Sequence, residues 1–404
     1  MNRAGGEFRI LIYGEYFLPV VGGVQTAMHL LAKGLAGLEW RQHGDSDACH
    51  IEVTVVTRTQ ANGMEDSSLP YRVVRRPALR QLIKLIRETD VVHVAGPCLV
   101  PMAIAWMVGK PFVVEHHGYQ VMCPNGLFLR EPSQTICPGY FGQRKYGECV
   151  QCVSATSGLA RGIRSLLLTF PRLWLCRTAA ANITITDHVA ARLKLPRSHT
   201  IYYGIESLRL SNGETSAWPS GPLTVAYVGR LVPEKGLMIL ARAAQILADE
   251  GHPIELTFIG DGPERSRLQD FFVENARLKG MVTFAGDLRG AYLERAVDGV
   301  AIVVMPSLWE ETAGLSAIEQ MMRGRVVIAA DIGGLAEVVG DAALKFAPGD
   351  ARALACCIQK VMRDPALIRS LGSAARDRAM RLFKRDRMIR DHALLYQGLC
   401  RRPG

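Results

Sequence analysis

The chain has 404 residues, 49% of them hydrophobic, and its 48 Lys and Arg outweigh 38 Asp and Glu to give a formal charge of +10. This composition excludes a disordered chain and predicts roughly two or three folded domains. The basic balance suits nucleotide phosphates, lipid phosphates or a membrane surface as partners, and solubility explains it equally well.

The location of the protein is predicted from two features. The stretch 1–7 is polar, and no apolar run reaches the roughly 20 residues that span a bilayer, so we expect a cytoplasmic protein. In a reducing compartment, the ten cysteines are expected to serve packing, metal binding or reactivity rather than a disulfide framework.

Strand-like and helix-like segments alternate through the first half. Predicted strands cover 8–13, 51–57, 71–75, 91–95, 111–115, 182–186 and 200–204, and predicted helices cover 24–38, 78–88 and 100–108. This alternation is typical of an α/β domain in which helices cover a parallel sheet.

Two loops of this half carry candidate binding residues. Gly22 and Gly23 precede a predicted helix, where glycines let the backbone approach a ligand, although a plain tight turn explains the pair as well. His116 and His117 follow the strand 111–115. Because side chains alternate along an extended chain, the two cannot point the same way, and we favour His117 as the functional one.

Four cysteines lie close together in the sequence. Cys123 and Cys137 each precede a proline, and Cys149 and Cys152 form a C-x-x-C pair. Thiols at such spacing in a loop rich in Gly and Pro predict a tetrahedral structural zinc site. Free thiols and an iron-sulfur centre are the alternatives.

The segment 157–177 is apolar, with interspersed arginines and a tryptophan. That pattern is typical of a segment at a membrane interface, and a core helix with arginines that extend to solvent fits it as well. Pro171 would kink any helix formed there.

The sequence changes character at 208–222, which is polar, rich in helix breakers and predicted to be a linker. The α/β alternation then restarts. Predicted strands cover 223–228, 254–259, 282–285, 300–305, 326–330 and 343–346, and predicted helices cover 236–250 and 263–276. Two α/β domains, over 1–207 and 223–385, imply a ligand-binding cleft between them.

A candidate ligand site follows the apolar strand 300–305. Glu311 and Glu319 lie eight residues apart, and a helix is predicted from Gly314. Eight helical residues rise on the order of 12 Å, which matches a sugar joined through a diphosphate to a ribose. Backbone N–H groups around Gly314 and Leu315 would meet the phosphates at the helix N-terminus. Two solvated glutamates are the alternative interpretation.

A second loop, after the strand 223–228, supplies cations. Arg230 offers a planar fork and Lys235 a point charge, and together they suit a diphosphate, although basic residues are common in surface loops. Arg230, Lys235 and the two glutamates all follow predicted strands of the same sheet. One crevice at the carboxyl edge of that sheet can therefore hold all four.

The order of these motifs closely resembles that of the retaining glycosyltransferases of family 4, marked by the E-x7-E pair Glu311 and Glu319. The resemblance covers nearly the whole chain. It is carried by Tyr16-Phe17 with Gly22-Gly23, His117-Gly118, Gly229-Arg230-Leu231 with Lys235-Gly236, Gly260-Asp261-Gly262-Pro263, Pro306-Ser307 with the two glutamates, and Gly333-Gly334 with Glu337. Some bacterial members also carry a cysteine-containing loop after that histidine, as at 118–156 here.

The resemblance implies the GT-B fold, with two facing Rossmann-like domains and an interdomain cleft, and a last helix (386–404) that crosses back to the N-terminal domain. It implies that Arg230 and Lys235 stabilise the diphosphate, that Glu311 contacts the donor sugar and that Glu319 contacts the ribose. It places the Gly22-Gly23 loop near the phosphates and His117 against the reacting sugar.

The function implied is retaining transfer of a hexose-type sugar from a nucleoside-diphosphate sugar to a glycan or lipid-linked saccharide. We expect that catalysis requires no cofactor and that any zinc is structural. We also expect no nucleic-acid partner, and a cytoplasmic location that includes the inner face of the membrane. The alternatives are a non-hydrolysing sugar-nucleotide epimerase, a catalytically silent nucleotide-sugar-binding protein and a structural adaptor.

Overall fold

The computed structural model describes residues 7–41, 48–207 and 223–400. This part of the chain divides into two compact units. The first contains the described residues of 1–128, 138–206 and 383–404, and the second those of 129–137 and 207–382. The predicted linker, 208–222, lies outside the described residues.

The first unit is a mostly parallel sheet covered by helices. Its elements in chain order, with the hairpin β7–β8 that groups with the second unit, are β1 (Glu7–Gly14), α1 (Gly23–Ala36), β2 (Glu39–Arg41), β3 (Ala48–Thr57), β4 (Arg72–Arg75), α2 (Leu79–Glu88), β5 (Val91–Ala95), α3 (Leu99–Met107), β6 (Phe112–His116), β7 (Leu129–Arg130), β8 (Thr135–Ile136), α4 (Tyr146–Ser157), α5 (Leu159–Thr178), β9 (Ala181–Thr184), α6 (Asp187–Leu193) and β10 (Ser198–Thr200).

The sheet of this unit has the strand order β10-β9-β6-β5-β1-β3-β2, with β4 also paired to β3. All pairs are parallel except β2–β3. Every residue of β5 and β6 is buried. Continuous burial is expected of central parallel strands, because helices cover both faces of the sheet.

The prediction of a strand over 200–204 is wrong. Strand β10 ends at Thr200, and the chain after it turns to the residues that precede the last helix, α14 (Arg385–Cys400). The N–H of Ile205 donates to the carbonyl of Phe383, and the N–H of Arg385 donates to the carbonyl of Ile205. Ile205, directly after the predicted strand, therefore has its backbone N–H and carbonyl bonded to residues around the start of α14.

Helix α14 packs within the first unit. Met388, Ile389 and Tyr396 belong to the same buried apolar cluster as residues of β1 and α1. The C-terminal helix is therefore part of this unit's core, although about 180 residues separate it from Glu206 in the sequence.

The second unit repeats the architecture with a wholly parallel sheet, in the order β13-β12-β11-β14-β15-β16. Its elements are β11 (Leu223–Val228), α7 (Leu237–Asp249), β12 (Ile254–Ile259), α8 (Arg265–Glu274), β13 (Val282–Gly286), α9 (Gly290–Asp298), β14 (Ile302–Met305), α10 (Leu315–Met322), β15 (Val326–Ala330), α11 (Gly333–Val339), β16 (Leu344–Phe346), α12 (Ala351–Arg363) and α13 (Ala366–Leu382).

Most of the segment 157–177 lies in the helix α5, which begins at Leu159 and has Pro171 inside it. Across the described parts of the chain, no helix combines the length and the apolar character needed to cross a bilayer.

Candidate active site

The candidate site of the second unit lies at the carboxyl edge of its sheet. Strand β11 pairs with β14, and β14 pairs with β15, all in parallel. The loops that follow these three strands therefore emerge at the same edge, which is where open α/β sheets bind ligands.

Backbone contacts join these three loops. The N–H of Leu308 donates to the carbonyl of Glu234 (2.9 Å), and the N–H of Gly334 donates to the carbonyl of Glu311 (2.6 Å). A Cβ on Gly236 would lie 2.0 Å from the carbonyl oxygen of Pro306, and Gly236 has a φ of +68°. Only glycine fits this position without strain, so the residue that follows Lys235 keeps the first two loops in contact.

Lys235 and Glu311 form a buried ion pair at the centre of this edge. The Nζ of Lys235 lies 2.8 Å from Oε1 of Glu311, and the two side chains are 15% and 4% exposed. The hydroxyl of Ser307 donates to the same oxygen. Nζ also lies 5.8 Å from the ring centroid of Trp309. A lysine with three donors can keep this pair and still donate to a bound phosphate.

Arg230 lies in the same loop as Lys235 in a different environment. Its side chain is 73% exposed, and its Nη2 is 3.8 Å from Oε1 of Glu234. Its backbone carbonyl accepts a hydrogen bond from the hydroxyl of Tyr227 (2.8 Å). The backbone is therefore fixed, while the guanidinium remains accessible to an anion.

Glu319 lies within α10, whose N-cap is Gly314 with a φ of +79°. Burial raises the pKa of Glu319, and the nearby charge of Arg323 opposes that rise. The predicted span of about 12 Å between Glu311 and Glu319 assumed that both lie on one helix. That assumption is wrong, because the helix begins at Leu315 and Glu311 precedes it. Of the eight residue steps between the glutamates, only those from Leu315 onward are helical.

The first unit has its own pocket, of about 470 Å³, at the carboxyl ends of β1, β5 and β6. Residues of the loops after those strands line it, among them Glu15, Cys98 and His117. Gly22 is the N-cap of α1 and Gly23 its first residue, and the first turn of α1 also lines the pocket. A neighbouring pocket of about 800 Å³ shares Arg58 with it and adds Arg76.

His116 and His117 point to different surroundings, as side-chain alternation requires. The Nε2 of His116 lies 2.9 Å from Oδ1 of the buried Asn182. The Nδ1 of His117 lies 2.7 Å from the hydroxyl of Tyr203, and the two rings are stacked with centroids 5.8 Å apart. Burial lowers the pKa of His117 although Glu115 acts to raise it.

The sequence analysis missed the buried groups behind His117. Glu115 is the last residue but one of β6, and its carboxylate lies close to His93, His117 and His392. An acidic residue at the end of an otherwise apolar strand is the signal that could have identified Glu115. His392 comes from α14, and the sequence carries no sign that this helix reaches the same place.

The four cysteines of the predicted zinc site lie in or near α4 and the hairpin before it. The thiol of Cys123 donates to Oδ1 of Asn125 (2.8 Å), and Nδ2 of Asn125 donates to Sγ of Cys152 (3.3 Å). Cys149 is buried one turn before Cys152 on α4. Cys137 follows β8, in the segment that groups with the second unit. The zinc site remains a prediction.

Two α/β units with parallel sheets and ligand loops at the carboxyl edge define the GT-B class, as the sequence analysis predicted. A solved structure, Anabaena Alr3699/HepE in complex with UDP, has a TM-score of 0.69 and 17% identity over 96% of this chain and 98% of that one. The sucrose-phosphate synthase of Thermosynechococcus elongatus has a TM-score of 0.71 and 22% identity over 97% and 99% of the two chains.

The family follows from the sequence comparisons. Residues 211–378 match the model "Glycosyl transferases group 1". The glycogen synthase of Mycobacterium tuberculosis is 31% identical over 91% of this chain and 89% of its own length. The 2-deoxystreptamine glucosyltransferase of Streptomyces kanamyceticus is 30% identical over 50% of this chain, and the match spans 57% of its own length. The chain belongs to the group 1 glycosyltransferases, which generally need no metal for catalysis.

The ion pair yields a stability prediction. Replacing Lys235 by Met leaves the buried Glu311 without its cation, so we expect the free energy of unfolding to fall by about 3 kcal/mol. Urea denaturation at pH 7 measures this loss. The matched change Arg230→Met breaks an exposed pair and should cost less than about 1 kcal/mol. Equal losses for the two variants would contradict a special role of the buried pair.

Proposed function

We propose that this protein is a retaining glycosyltransferase that moves a hexose-type sugar from a nucleoside-diphosphate sugar to a saccharide acceptor. The observation that carries the proposal is the group formed by Lys235, Glu311 and the exposed Arg230 at one sheet edge. Two cations beside one immobilised carboxylate suit a ligand that has a diphosphate at one end and hydroxyls at the other.

The leaving group determines the chemistry. As the bond from the anomeric carbon to the diphosphate breaks, negative charge grows on the phosphate oxygen, and Lys235 and Arg230 would stabilise it. The acceptor hydroxyl forms its bond to the anomeric carbon on the face that the diphosphate leaves. Its proton passes to the departing phosphate oxygen, so the protein need not supply a base.

Glu311 then positions the sugar rather than attacking it. Its Oε1 accepts from both Lys235 and Ser307, and its side chain is almost fully buried. A carboxylate held by a cation and a hydroxyl is a weaker nucleophile than a free one, while its other oxygen can accept a hydrogen bond from a sugar hydroxyl. We assign the ribose contact to Glu319 and the phosphate contacts to the backbone at Gly314 and Leu315.

We assign the acceptor to the pocket of the first unit, with His117 against the reacting sugar and the Gly22-Gly23 loop near the phosphates. The structural relative HepE binds UDP, and the curated relatives include a glucosyltransferase and a glycogen synthase. These names support a nucleotide-sugar donor as a class. The donor base and the acceptor are left open within that class.

Transfer has a direct test. With a panel of UDP-, GDP- and ADP-sugars and saccharide or lipid extracts, the protein should release nucleoside diphosphate only when an acceptor is present. Arg230→Ala should lower kcat about 100-fold, because it removes a charge aimed at the leaving group. Arg267→Ala is the matched control, since Arg267 is also exposed and paired to a glutamate.

The outcomes separate the alternatives. Donor turnover without an acceptor would indicate an epimerase. Donor binding without turnover would indicate a catalytically silent protein, and neither binding nor turnover would indicate a structural adaptor. Each of these results would refute transfer.

We also propose that the acceptor is presented at a membrane and that helix α5 contacts its surface. Leu159, Ile163, Leu167, Phe170 and Trp174 follow one another at three or four residues and are all at least 40% exposed. This spacing puts them on one helix face. We call this stripe the α5 face.

The surroundings of the α5 face favour a lipid surface. Trp106 and Met107 at the end of α3 are also exposed, and the rings of Trp106 and Trp174 are in contact, with centroids 4.9 Å apart. Arg161 and Arg164 are exposed on the same helix, which has no acidic residue between Leu159 and Thr178. An apolar stripe on a helix that carries arginines and no carboxylate suits an anionic bilayer. The location at the inner face of the cytoplasmic membrane remains a prediction.

Membrane contact predicts co-sedimentation with vesicles that contain phosphatidylglycerol and weaker binding to pure phosphatidylcholine. The double variant Ile163→Glu/Leu167→Glu should lose at least 10-fold in affinity for these vesicles, because transfer of two carboxylates into the membrane interface costs free energy. Val273→Glu replaces a valine of α8 that is 83% exposed and should bind like the wild type. Unchanged binding by the double variant would refute this use of the α5 face.

A structural zinc ion is proposed for Cys123, Cys137, Cys149 and Cys152. Metal analysis of the purified chain should find about one equivalent of zinc, which Cys149→Ser/Cys152→Ser removes and Cys356→Ser retains. Cys356 is an exposed cysteine of α12 and serves as the control. Less than about half an equivalent in the wild type would contradict the site.

A further inference from the structure

Three histidines from distant parts of the chain surround one buried carboxylate in the first unit. Oε2 of Glu115 lies 3.1 Å from Nε2 of His93 and 3.5 Å from Nε2 of His117, and Oε1 lies 3.9 Å from Nε2 of His392. The side chains of Glu115, His93 and His392 are almost completely inaccessible to solvent. Glu115 belongs to β6, His93 to β5 and His392 to α14.

Two buried tyrosines complete the arrangement. The hydroxyl of Tyr396 lies 2.7 Å from Nδ1 of His93, and that of Tyr203 lies 2.7 Å from Nδ1 of His117. Tyr396 is on α14, one turn after His392. We call these residues, Glu115, His93, His117, His392, Tyr203 and Tyr396, the Glu115 network.

The partners fix where the protons lie. A carboxylate only accepts, so the proton of His93 is on Nε2, and Nδ1 accepts from Tyr396. The carboxylate of Glu115, 3.5 Å from Nε2 of His117, favours a proton on that nitrogen electrostatically when the ring is neutral, and Nδ1 then accepts from Tyr203. Burial lowers the pKa of His117, so the neutral form is favoured.

The charge of Glu115 is maintained by its neighbours. Burial acts to raise the pKa of this carboxyl, but the neighbouring imidazoles, His117 first and then the hydrogen-bonded His93, outweigh it and hold the pKa below its usual range. Glu115 therefore stays ionised and continues to select the same histidine tautomers.

His117 is consequently held on three sides. Both ring nitrogens lie against protein groups, its ring stacks on Tyr203, and its side chain is only 8% exposed. The imidazole is therefore poorly placed to exchange a proton with a substrate. It can instead set the position of the chain at the pocket edge, where His117 and Gln120 are lining residues.

We propose that Glu115 is a positioning residue for glycosyl transfer: it fixes the tautomer and orientation of His117 at the pocket and ties them, through His93, His392 and Tyr396, to the C-terminal helix. This inference rests on the proposed function for its kinetic consequence. Its structural part, control of the His117 tautomer, stands apart from catalysis.

The experiment combines kinetics with nitrogen NMR. Glu115→Gln removes the charge of this side chain and keeps its shape. We expect kcat for transfer to fall about 10- to 100-fold, because His117 would be slightly misplaced near the reacting sugar, and the donor KM to stay within about threefold. In 15N-histidine spectra, the ring-nitrogen shifts of His117, assigned with His117→Asn, should move away from the Nε2–H tautomer.

A matched pair of tyrosine variants keeps the test valid if Glu115→Gln folds poorly. Tyr396→Phe removes the bond to Nδ1 of His93 inside the network, and Tyr71→Phe removes the similar bond to Nδ1 of His29 (2.6 Å) outside it. We expect Tyr396→Phe to lower kcat severalfold and to shift the His117 signals, and Tyr71→Phe to do neither.

The outcomes are distinguishable. If the wild type transfers sugar but Glu115→Gln retains its kcat and the His117 signals, the positioning role is refuted. If the wild type transfers nothing, the proposed function fails, and the NMR shifts alone decide the tautomer control.

The ligand atoms of His93, Glu115 and His392 also lie within 4.8 Å of one another, close enough for a metal ion. Metal that His392→Ala removes and Cys149→Ser/Cys152→Ser retains would overturn the positioning role in favour of a metal site. Absence of such metal supports the hydrogen-bonded network.

Discussion

The buried ion pair between Lys235 and Glu311 is the interaction on which the candidate site depends. It joins the loop after β11 to the loop after β14, and it does so where backbone bonds and the contact of Gly236 with Pro306 already hold the loops together. A buried ion pair stabilises the fold only when its geometry is fixed, because a buried charge without its partner lowers the free energy of unfolding. Its rigidity suits a site that must present positive charge to a leaving group without reorganising.

Each unit has a buried carboxylate near the carboxyl end of a strand, and the partners that stabilise the carboxylate differ between the two units. In the second unit Lys235 and the hydroxyl of Ser307 bind Glu311, and the positive charge of the lysine balances the negative charge of the carboxylate. In the first unit Glu115 is surrounded by imidazoles whose N–H groups stabilise it without bringing in a permanent cation. This difference fits the roles proposed for the two units. The proposed diphosphate site of the second unit requires cations, whereas the proposed acceptor pocket of the first unit requires a fixed shape.

The proposed functions of the two units also place different demands on their surfaces. The 73% exposure of Arg230 suits the anionic ligand proposed for it, and the hydrogen bond from Tyr227 fixes its backbone. The apolar residues of the α5 face remain exposed although the core of their unit is well formed, and exposed apolar stripes of this kind mark interaction surfaces. The arginines of the same helix, which has no acidic residue, favour anionic partners for it.

The sequence by itself determined most of the fold, because the buried parallel strands are continuous apolar runs and glycines mark the loops after them. Strands such as 223–228, 254–259 and 326–330 were predicted at their observed limits. The sequence also identified Lys235 and Glu311 as strand-end charges, since parallel order brings such loops to one edge. It could not predict that the two would pair directly with each other, because that depends on which strands are neighbours.

Only the tertiary structure decided the rest. The segment 200–204 has the composition of a strand, but β10 ends at Thr200 and the N–H of Gly204 donates to Sδ of Met388 on α14, a long-range choice that local pattern does not contain. The spacing of Glu311 and Glu319 suggested a continuous helix, yet the chain turns at Gly314 before the helix begins. The Glu115 network depends on α14 meeting β5 and β6 across nearly 280 residues of sequence, from Glu115 to His392, and no periodicity encodes such a meeting.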